Sequence, residues 1–319
     1  MKKLVGILAS IVLVVVLLGA GGLVWAKRET SAILGRTIET HSVDFPIPYP
    51  LDSAETALAG IGPEQTASVA LARALERGQH LVESRYVCTE CHGQDFGGGV
   101  MVDDAMLGRI LGPNITTGAG GRTVAYTPAD WDRIVRHGVR PDGRPAAMPS
   151  EDFRRMSDQE LSDVVAYIRS KPPVDDTVAP VKLGPLGTVL VATGKLPLSA
   201  DLIGDHAARH ESVPPVAEAS VEFGRHLAGV CMGCHQSDLT GGPVPGGDPS
   251  WPPAADLTLH AGGDWTYEQF RTVMRESRRP DGTALRPPMD MVTGYTSRMS
   301  DTELEALWAY LQSLPPSAS

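Results

Sequence analysis

Two short motifs bring together residue types that can attach a porphyrin iron covalently. Cys88-Thr89-Glu90-Cys91-His92 and Cys231-Met232-Gly233-Cys234-His235 share the pattern Cys-x-x-Cys-His. On a helix, residues i, i+3 and i+4 share one face, so the two thiols and the imidazole of each motif point the same way. The thiols can form thioethers with the vinyl groups of haem while the imidazole binds the iron. The sequence therefore predicts two covalently bound haem c groups, held by Cys88, Cys91, His92, Cys231, Cys234 and His235.

Two other chemistries use closely spaced cysteines. Four cysteines could share one zinc ion, and each pair could work as a redox dithiol. Neither requires a histidine directly after both pairs. Four cysteines in 319 residues are also too few for a disulfide scaffold. Haem attachment is therefore the favoured interpretation.

The chain contains an internal repeat that surrounds each motif with matching sequence. Four further pairs of segments occur in the same order in both halves: Gly78–Leu81 with Gly224–Leu227, Arg140–Gly143 with Arg279–Gly282, Met156–Asp158 with Met299–Asp301, and Ala166-Tyr167 with Ala309-Tyr310. Each half is therefore predicted to be one copy of the same small domain. We place the copies at 72–174 and 216–315, with a tether at 29–71 and a linker at 175–215 that could pack on a domain.

Each copy is predicted to be a set of helices joined by loops. In the first copy Ser157 and Glu160 form a capping box before a helix with one apolar face. The second copy repeats this pattern from Ser300 and Glu303. Middle helices are expected after Thr127-Pro128 and after Thr266. No segment alternates convincingly as a strand, so the fold class is predicted to be mainly α.

The sixth iron ligand separates an electron carrier from a catalyst. A methionine sulfur raises the reduction potential, whereas an open position invites peroxide or oxygen. In the first copy Met148 is the predicted ligand, because it lies in the loop between the middle and last helices. Its rivals are Met101, Met106 and Met156. Met156 precedes the Ser157 cap, where it should pack on the helix as a hydrophobic staple.

The second copy offers two methionines, Met289 and Met291, within Pro287–Met291. Counting back from the last helix favours Met291, and counting forward from Arg279–Gly282 favours Met289. We select Met289, because the Pro-rich approach and the polar Asp290 suit a sulfur that turns inward there. The same staple argument as for Met156 sets Met299 aside.

The remaining histidines have less specific interpretations. His137 and His260 could ligate iron in a bis-His scheme, but each competes with a methionine in its own copy. We expect both to be ordinary surface or hydrogen-bonding residues. His80 and His226 occupy equivalent positions on the first helices and are expected to pack where the first and last helices cross.

The N-terminus predicts a membrane anchor. Leu4 to Ala26 is a run of 23 residues without a charge, preceded by Lys2 and Lys3. As a helix it would be about 34 Å long, enough to cross a hydrocarbon core of about 30 Å. A cleaved signal ending at Ala26 is the alternative. Haem c is attached outside the cytoplasmic membrane, so an anchor at 1–28 would run N-inside and leave both domains on the periplasmic side.

The charge of the exported part is strongly acidic. Residues 29–319 contain 24 basic and 38 acidic residues, a formal charge of −14. Such a surface repels nucleic acid and favours a basic docking partner.

Together these motifs resemble the class I cytochrome c family, twice in one chain. The chain is especially similar to the multihaem cytochromes that accompany periplasmic dehydrogenases. The segments that carry this similarity are Cys88–Gly93, Gly112–Thr116, Arg140–Gly143 and Met148-Pro149. The resemblance covers about 200 residues and implies His and Met axial ligands, with one haem edge exposed. It also implies that the backbone near Pro113 orients the proximal imidazole of the first copy. The second copy has Ala255 at the position of Pro113. Dehydrogenase cytochromes of this kind often carry three haem motifs, whereas this chain has two.

These expectations support three hypotheses of function. The first is a dihaem electron carrier, not an enzyme, that works with redox protein partners at the membrane, free-standing or within a respiratory or dehydrogenase complex. The second is a dihaem peroxidase with one working haem. The third is a haem-bearing adaptor that mainly docks another protein through the linker.

Overall fold

The computed structural model describes residues 2–41, 43–248, 250–258 and 265–315. It begins with α1, Lys2–Gly35, which continues past the predicted anchor. Among the described residues α1 is the one helix long and apolar enough to cross a membrane, and its apolar stretch is not buried against the protein. At 1.5 Å per residue it is about 51 Å long, so its last turns would extend beyond a bilayer core.

The first domain is built from helices around the first Cys-x-x-Cys-His motif. They are α2 (Ser53–Ala59), α3 (Pro63–His80), α4 (Cys88–His92), α5 (Pro128–His137) and α6 (Asp158–Arg169). A wide π-helical turn, Leu81–Arg85, continues α3, and a 3-10 turn spans Ser150–Asp152. The predicted capping box at Ser157 is present, and a second capping box, at Thr127, begins the predicted middle helix. The first helix starts before residue 72, where the domain was expected to begin.

A small antiparallel sheet, which the sequence did not predict, lies beside α4. Its strands, in the order β1-β2-β3, are Gly99–Asp104, Gly108–Gly112 and Lys182–Leu183. Most of β1 is exposed without a two-residue alternation, which is why it gave no strand signal. A Cβ on Gly112 would lie 1.8 Å from the carbonyl oxygen of Cys91, so this close approach requires glycine.

The tether and the linker both pack on neighbouring structure. Phe45 is buried in the first core, and Ser162 Oγ donates a hydrogen bond of 2.7 Å to the carbonyl of Pro46. The linker forms α7 (Pro185–Ala192) and α8 (Ser199–Leu202). Thr30 Oγ1 donates to the Thr188 carbonyl at 2.8 Å, which holds α7 against α1. Residues 43–49 of the predicted tether therefore pack on the first core.

The second domain repeats the helical plan of the first. Its helices are α9 (Val221–Leu227), α10 (Met232–His235), α11 (Tyr267–Glu276), α12 (Met289–Thr296) and α13 (Asp301–Ser313), with a 3-10 turn at Ala228–Cys231. Capping boxes begin both α11 and α13, and the one at Ser300, before α13, was predicted. The fold is mainly α, in agreement with the sequence.

In each domain the first and last helices cross at a glycine. A Cβ on Gly78 would lie 2.1 Å from the carbonyl oxygen of Asp163, and one on Gly224 would lie 1.9 Å from that of Ala306. Any side chain at either position would force the two helices apart. The crossing of first and last helices therefore depends on glycine in both copies.

The expectation that His80 and His226 pack at these crossings is wrong. His80 Nε2 donates to Glu303 of the second domain at 2.9 Å, and His226 Nε2 donates to Glu160 of the first domain at 2.9 Å. Both glutamates are buried capping-box residues. Arg85 lies between them, with nitrogens 3.0 Å from Glu160 and 2.6 Å from Glu303. A reciprocal charged network therefore joins the domains, because each histidine reaches the last helix of the other copy.

Candidate haem sites

In the first domain, α4 presents the two thiols and the imidazole of the motif. His92 Nδ1–H donates to the carbonyl oxygen of Pro113 at 2.8 Å. Because a carbonyl only accepts, this bond fixes the proton on Nδ1 and leaves the Nε2 lone pair available to a metal. Burial lowers the pKa of His92, which keeps the imidazole neutral and able to ligate.

The second domain orients its histidine in the same way. His235 Nδ1–H donates to the carbonyl oxygen of Ala255 at 2.8 Å. The change from Pro113 to Ala255 does not alter this contact, because the acceptor is a backbone carbonyl that any residue supplies. The residue after each histidine has a positive φ, 78° at Gly93 and 69° at Gln236, so the chain leaves the two motifs similarly.

The four cysteines do not resemble a zinc site or a redox dithiol. Burial raises the pKa of the Cys88 and Cys231 thiols to about 12, and it raises those of Cys91 and Cys234 to about 11. Reactive redox cysteines are instead poised as thiolates. Within the described residues, which include all four cysteines, no cysteine belongs to a group of three or more converging ligand side chains.

The candidate axial methionines differ in burial. Met148 and Met289 are half-buried and pack at the edges of the first and second apolar cores. Met291 is 55% exposed and points away from the second core. Met156 and Met299 are fully buried within the cores, as the staple argument expects. Met101 and Met106 lie on the hairpin formed by β1 and β2 and are exposed.

These positions favour Met148 and Met289 as ligands. A methionine at the edge of a core can turn its sulfur toward a haem. A fully buried methionine is held in place by packing, and an exposed methionine has its sulfur in solvent.

The structure describes one of the two histidines considered for a bis-His scheme. His137 is not on the surface: it is 1% exposed and lies among other histidines. His260 lies outside the described residues.

The donor sets fit haem c in both domains. Each contains two thiols and one oriented imidazole on a single turn, next to an apolar core that carries a methionine. In the second domain a cleft of about 390 Å³ opens between the segments that lead to Ala255 and to Met289. Its lining residues are Ser250, Trp251, Pro252, Arg286 and Pro287.

Both Cys-x-x-Cys-His motifs lie at the interface between the domains. The Tyr295 hydroxyl of α12 is 2.7 Å from Thr89 Oγ1 and donates to Glu90 Oε1 at 2.7 Å. Conversely, Asp152 of the first domain lies against Gly233 of the second domain. A Cβ on Gly233 would lie 1.8 Å from the Asp152 carboxylate. The interface therefore brings each Cys-x-x-Cys-His motif against the other domain. Sequence reasoning missed this, because nothing in one repeat indicates how two copies dock.

Comparison with protein families gives two matches. The family described as cytochrome C oxidase, cbb3-type, subunit III matches residues 73–168, and the family described as cytochrome c matches residues 221–315. Each match contains one motif together with the predicted methionine of that copy.

The curated relatives are mainly cytochrome subunits of dehydrogenases. The cytochrome c subunit of an alcohol dehydrogenase (quinone) from Gluconacetobacter polyoxogenes is 28% identical, over 72% of this chain and 52% of that protein. The fructose dehydrogenase cytochrome subunit of Gluconobacter japonicus is 25% identical, over 80% and 55%. A diheme cytochrome c-type protein of Cereibacter sphaeroides is 24% identical, over 72% and 82%. The chain thus spans about half the length of the first two.

Proposed function

We propose that this chain, two tandem cytochrome c domains behind an apolar N-terminal helix, is a membrane-anchored dihaem electron carrier. It passes electrons between redox partners on the periplasmic side of the cytoplasmic membrane and catalyses no bond chemistry itself. The observation that carries the proposal is the pair of motifs whose histidines both donate Nδ1–H to a backbone carbonyl. That arrangement is what a proximal haem ligand requires.

Haem c supplies reversible one-electron chemistry at iron when it is bound. The protein's residues fix and tune it. Cys88, Cys91, Cys231 and Cys234 attach the two macrocycles through thioethers, and His92 and His235 supply the proximal nitrogens. Met148 and Met289 would supply the sixth ligands, and a thioether sulfur favours reduced iron and a high potential. With that position filled, peroxide and oxygen would be kept away, which disfavours the peroxidase alternative.

The interface between the domains supports electron transfer within one chain. Tyr295 and Asp152 each join one domain to the haem-binding segment of the other. The two macrocycles would therefore lie on either side of a packed boundary rather than at distant ends of a flexible pair. Electrons could enter at one domain and leave from the other.

The relatives indicate the setting of this activity. Because several are cytochrome subunits of alcohol, fructose and gluconate dehydrogenases, we propose that this chain is likewise a subunit of a dehydrogenase or respiratory complex. The acidic exported part, with its formal charge of −14 over residues 29–319, favours a basic partner. The α1 helix would hold the carrier close to membrane-bound donors or acceptors.

The proposal is tested by redox titration of the purified full chain, followed through the weak charge-transfer band of Met-ligated ferric haem. We expect two low-spin, high-potential haems in the unaltered protein. Met148→Leu and Met289→Leu should each remove the band from one haem and lower its potential. Met291→Leu is the matched control and should change neither, because Met291 is exposed. A haem that is high-spin at rest, or a band lost in Met291→Leu alone, would contradict the assignment.

A further inference from the structure

We propose that His41, Asp132, His137 and His210 bind a zinc ion at a site separate from both haems. The four side chains come from three parts of the chain that adjoin the first domain. His41 belongs to the segment before α2, Asp132 and His137 lie on α5, and His210 lies in the linker. Among the described residues this is the one group of three or more ligand side chains whose atoms all lie within 4.8 Å of one another.

The ligand atoms have the spacing of a tetrahedral site. His137 Nε2 and His210 Nε2 are 3.3 Å apart. Asp132 Oδ2 is 3.5 Å from His41 Nε2 and 3.8 Å from His137 Nε2, and Asp132 Oδ1 is 3.9 Å from His210 Nε2. With metal–ligand distances of about 2.0–2.1 Å, the ligands of tetrahedral zinc lie about 3.4 Å from one another. Small side-chain adjustments would therefore close the site around one ion.

Hydrogen bonds from outside the cluster turn two imidazole lone pairs inward. His206 Nε2–H donates to the Ala200 carbonyl at 3.0 Å, so its Nδ1 accepts from His137 Nδ1–H at 3.1 Å. His41 Nδ1–H donates to the carbonyl of His206 at 3.3 Å. The Nε2 lone pairs of His137 and His41 therefore both face the cluster, and of these two atoms His41 Nε2 is the one without a hydrogen-bond partner. This is how outer hydrogen bonds orient the histidines of zinc sites.

Asp132 is held in a similar way. Arg136 Nε donates to its Oδ1 at 2.6 Å, and Arg136 also reaches Asp158 at 2.8 Å. The other oxygen, Oδ2, is buried without a hydrogen-bond partner, and so is His41 Nε2. The side chain of Asp132 is 1% exposed. Buried polar atoms are rarely left unpaired, so these two atoms point to a cation between them.

The buried lone pairs of the cluster also agree with a bound cation. Without a cation, a buried carboxylate oxygen would face several lone pairs, which is unfavourable at low dielectric. A divalent ion offsets that repulsion.

The donor set indicates which metal and what role. Three imidazole nitrogens and one carboxylate oxygen suit zinc, and four protein ligands without an open position are typical of structural sites. Such an ion would fasten the segment before α2 and the linker onto α5. It would thereby fix the first domain relative to the α1 helix.

Metal analysis of the untagged full chain, dialysed against a mild chelator, tests the proposal. We expect one zinc and two irons per chain, with a zinc K-edge absorption spectrum of three nitrogens and one oxygen at about 2.0 Å. His41→Gln and His210→Gln should each reduce zinc at least tenfold while both haem spectra stay unchanged. His80→Gln, a histidine outside the cluster, should retain the zinc.

Three results would overturn the proposal. The first is unaltered protein that holds no zinc even after equilibration with zinc chloride and removal of the excess. The second is full zinc content in both cluster variants. The third is copper or nickel at the site in place of zinc. Unchanged haem spectra in the variants exclude a general failure to fold.

Discussion

Arg85 is the most informative residue to change at the interface between the two domains. It is 10% exposed and is the cation shared by two buried carboxylates, Glu160 and Glu303. Arg85→Met keeps the length and apolar stem of the side chain but removes its charge. The two glutamates would then keep only the histidines His80 and His226 and their own capping-box bonds as partners.

The cost can be worked out from the carboxylates. Burial opposes the charge of Glu303, yet the hydrogen bond from His80 and the charge of Arg85 lower its pKa from 4.5 to about 2. That change corresponds to about 3 kcal/mol in favour of the charged form. Arg85 also lowers the pKa of Glu160, although burial and His226 act on it more strongly. Removing one partner of a buried charged pair costs about 3–5 kcal/mol, so we expect about 3 kcal/mol at pH 7.

The effect should depend on pH with a defined sign. Because the pKa of Glu303 is lower in the folded state than in the unfolded state, its stabilisation is complete above about pH 5 and is lost as the pH falls toward 2. The Arg85→Met protein lacks much of that stabilisation from the start. The difference in the free energy of unfolding between the two proteins should therefore stay constant down to about pH 5 and then shrink as the pH falls toward 2.

The assay is urea unfolding of the full haem-loaded chain in detergent, followed by circular dichroism at several pH values. Arg271→Met is the matched control, because Arg271 pairs with Asp301 on the surface, where both side chains are largely exposed. Exposed pairs contribute about 0–1 kcal/mol, so that variant should lose little. If Arg85→Met loses no more than Arg271→Met at pH 7, the buried network does not join the domains and the reasoning is refuted.

Two further predictions concern contacts at helix crossings and at the interface. Gly224→Ala should destabilise the second domain by about 2 kcal/mol or more, since its Cβ would lie 1.9 Å from the Ala306 carbonyl oxygen. Gly294→Ala is the control, because a Cβ there meets no atom within 4 Å and should not destabilise the domain. Equal unfolding midpoints of the two variants would disprove this. Tyr295→Phe removes the hydrogen bonds to the first haem segment and should cost about 1–2 kcal/mol in the same unfolding assay. Tyr267→Phe is its control, because the Tyr267 hydroxyl is buried without a partner and its removal should be neutral or stabilising.

The sequence predicted the features that depend on neighbouring residues. The Cys-x-x-Cys-His motifs place their ligands within one helical turn, and the capping boxes at Ser157 and Ser300 set the starts of α6 and α13. The choice between Met289 and Met291 was harder, because both counting arguments use only distances along the chain and not the direction of each side chain. Both methionines belong to the first turn of α12, and two residues correspond to about 200° around a helix, so only one can face the core.

The features that the sequence did not predict depend on distant segments. His41, Asp132 and His210 are spread over about 170 residues and form no recognisable spacing. The β1 strand is mostly exposed, so it lacks the alternation that indicates a strand. His80 and His226 were assigned to their own domains because each repeat was considered alone, whereas their partners lie in the other copy.

The asymmetry between the two copies explains how such an interface can be stable. Two equivalent histidines and two equivalent glutamates meet across it, so two exact copies of the second domain would bury both carboxylates without the arginine. Ten positions separate Gly78 from Cys88 but only seven separate Gly224 from Cys231. The wide π-helical turn 81–85 accommodates the additional residues, and its last residue is Arg85. One arginine between the carboxylates can pair with both, whereas a second one from the other copy would bury an extra positive charge. The extra residues in one copy thus supply a cation for docking, and docking in turn sets each Cys-x-x-Cys-His motif against the other domain.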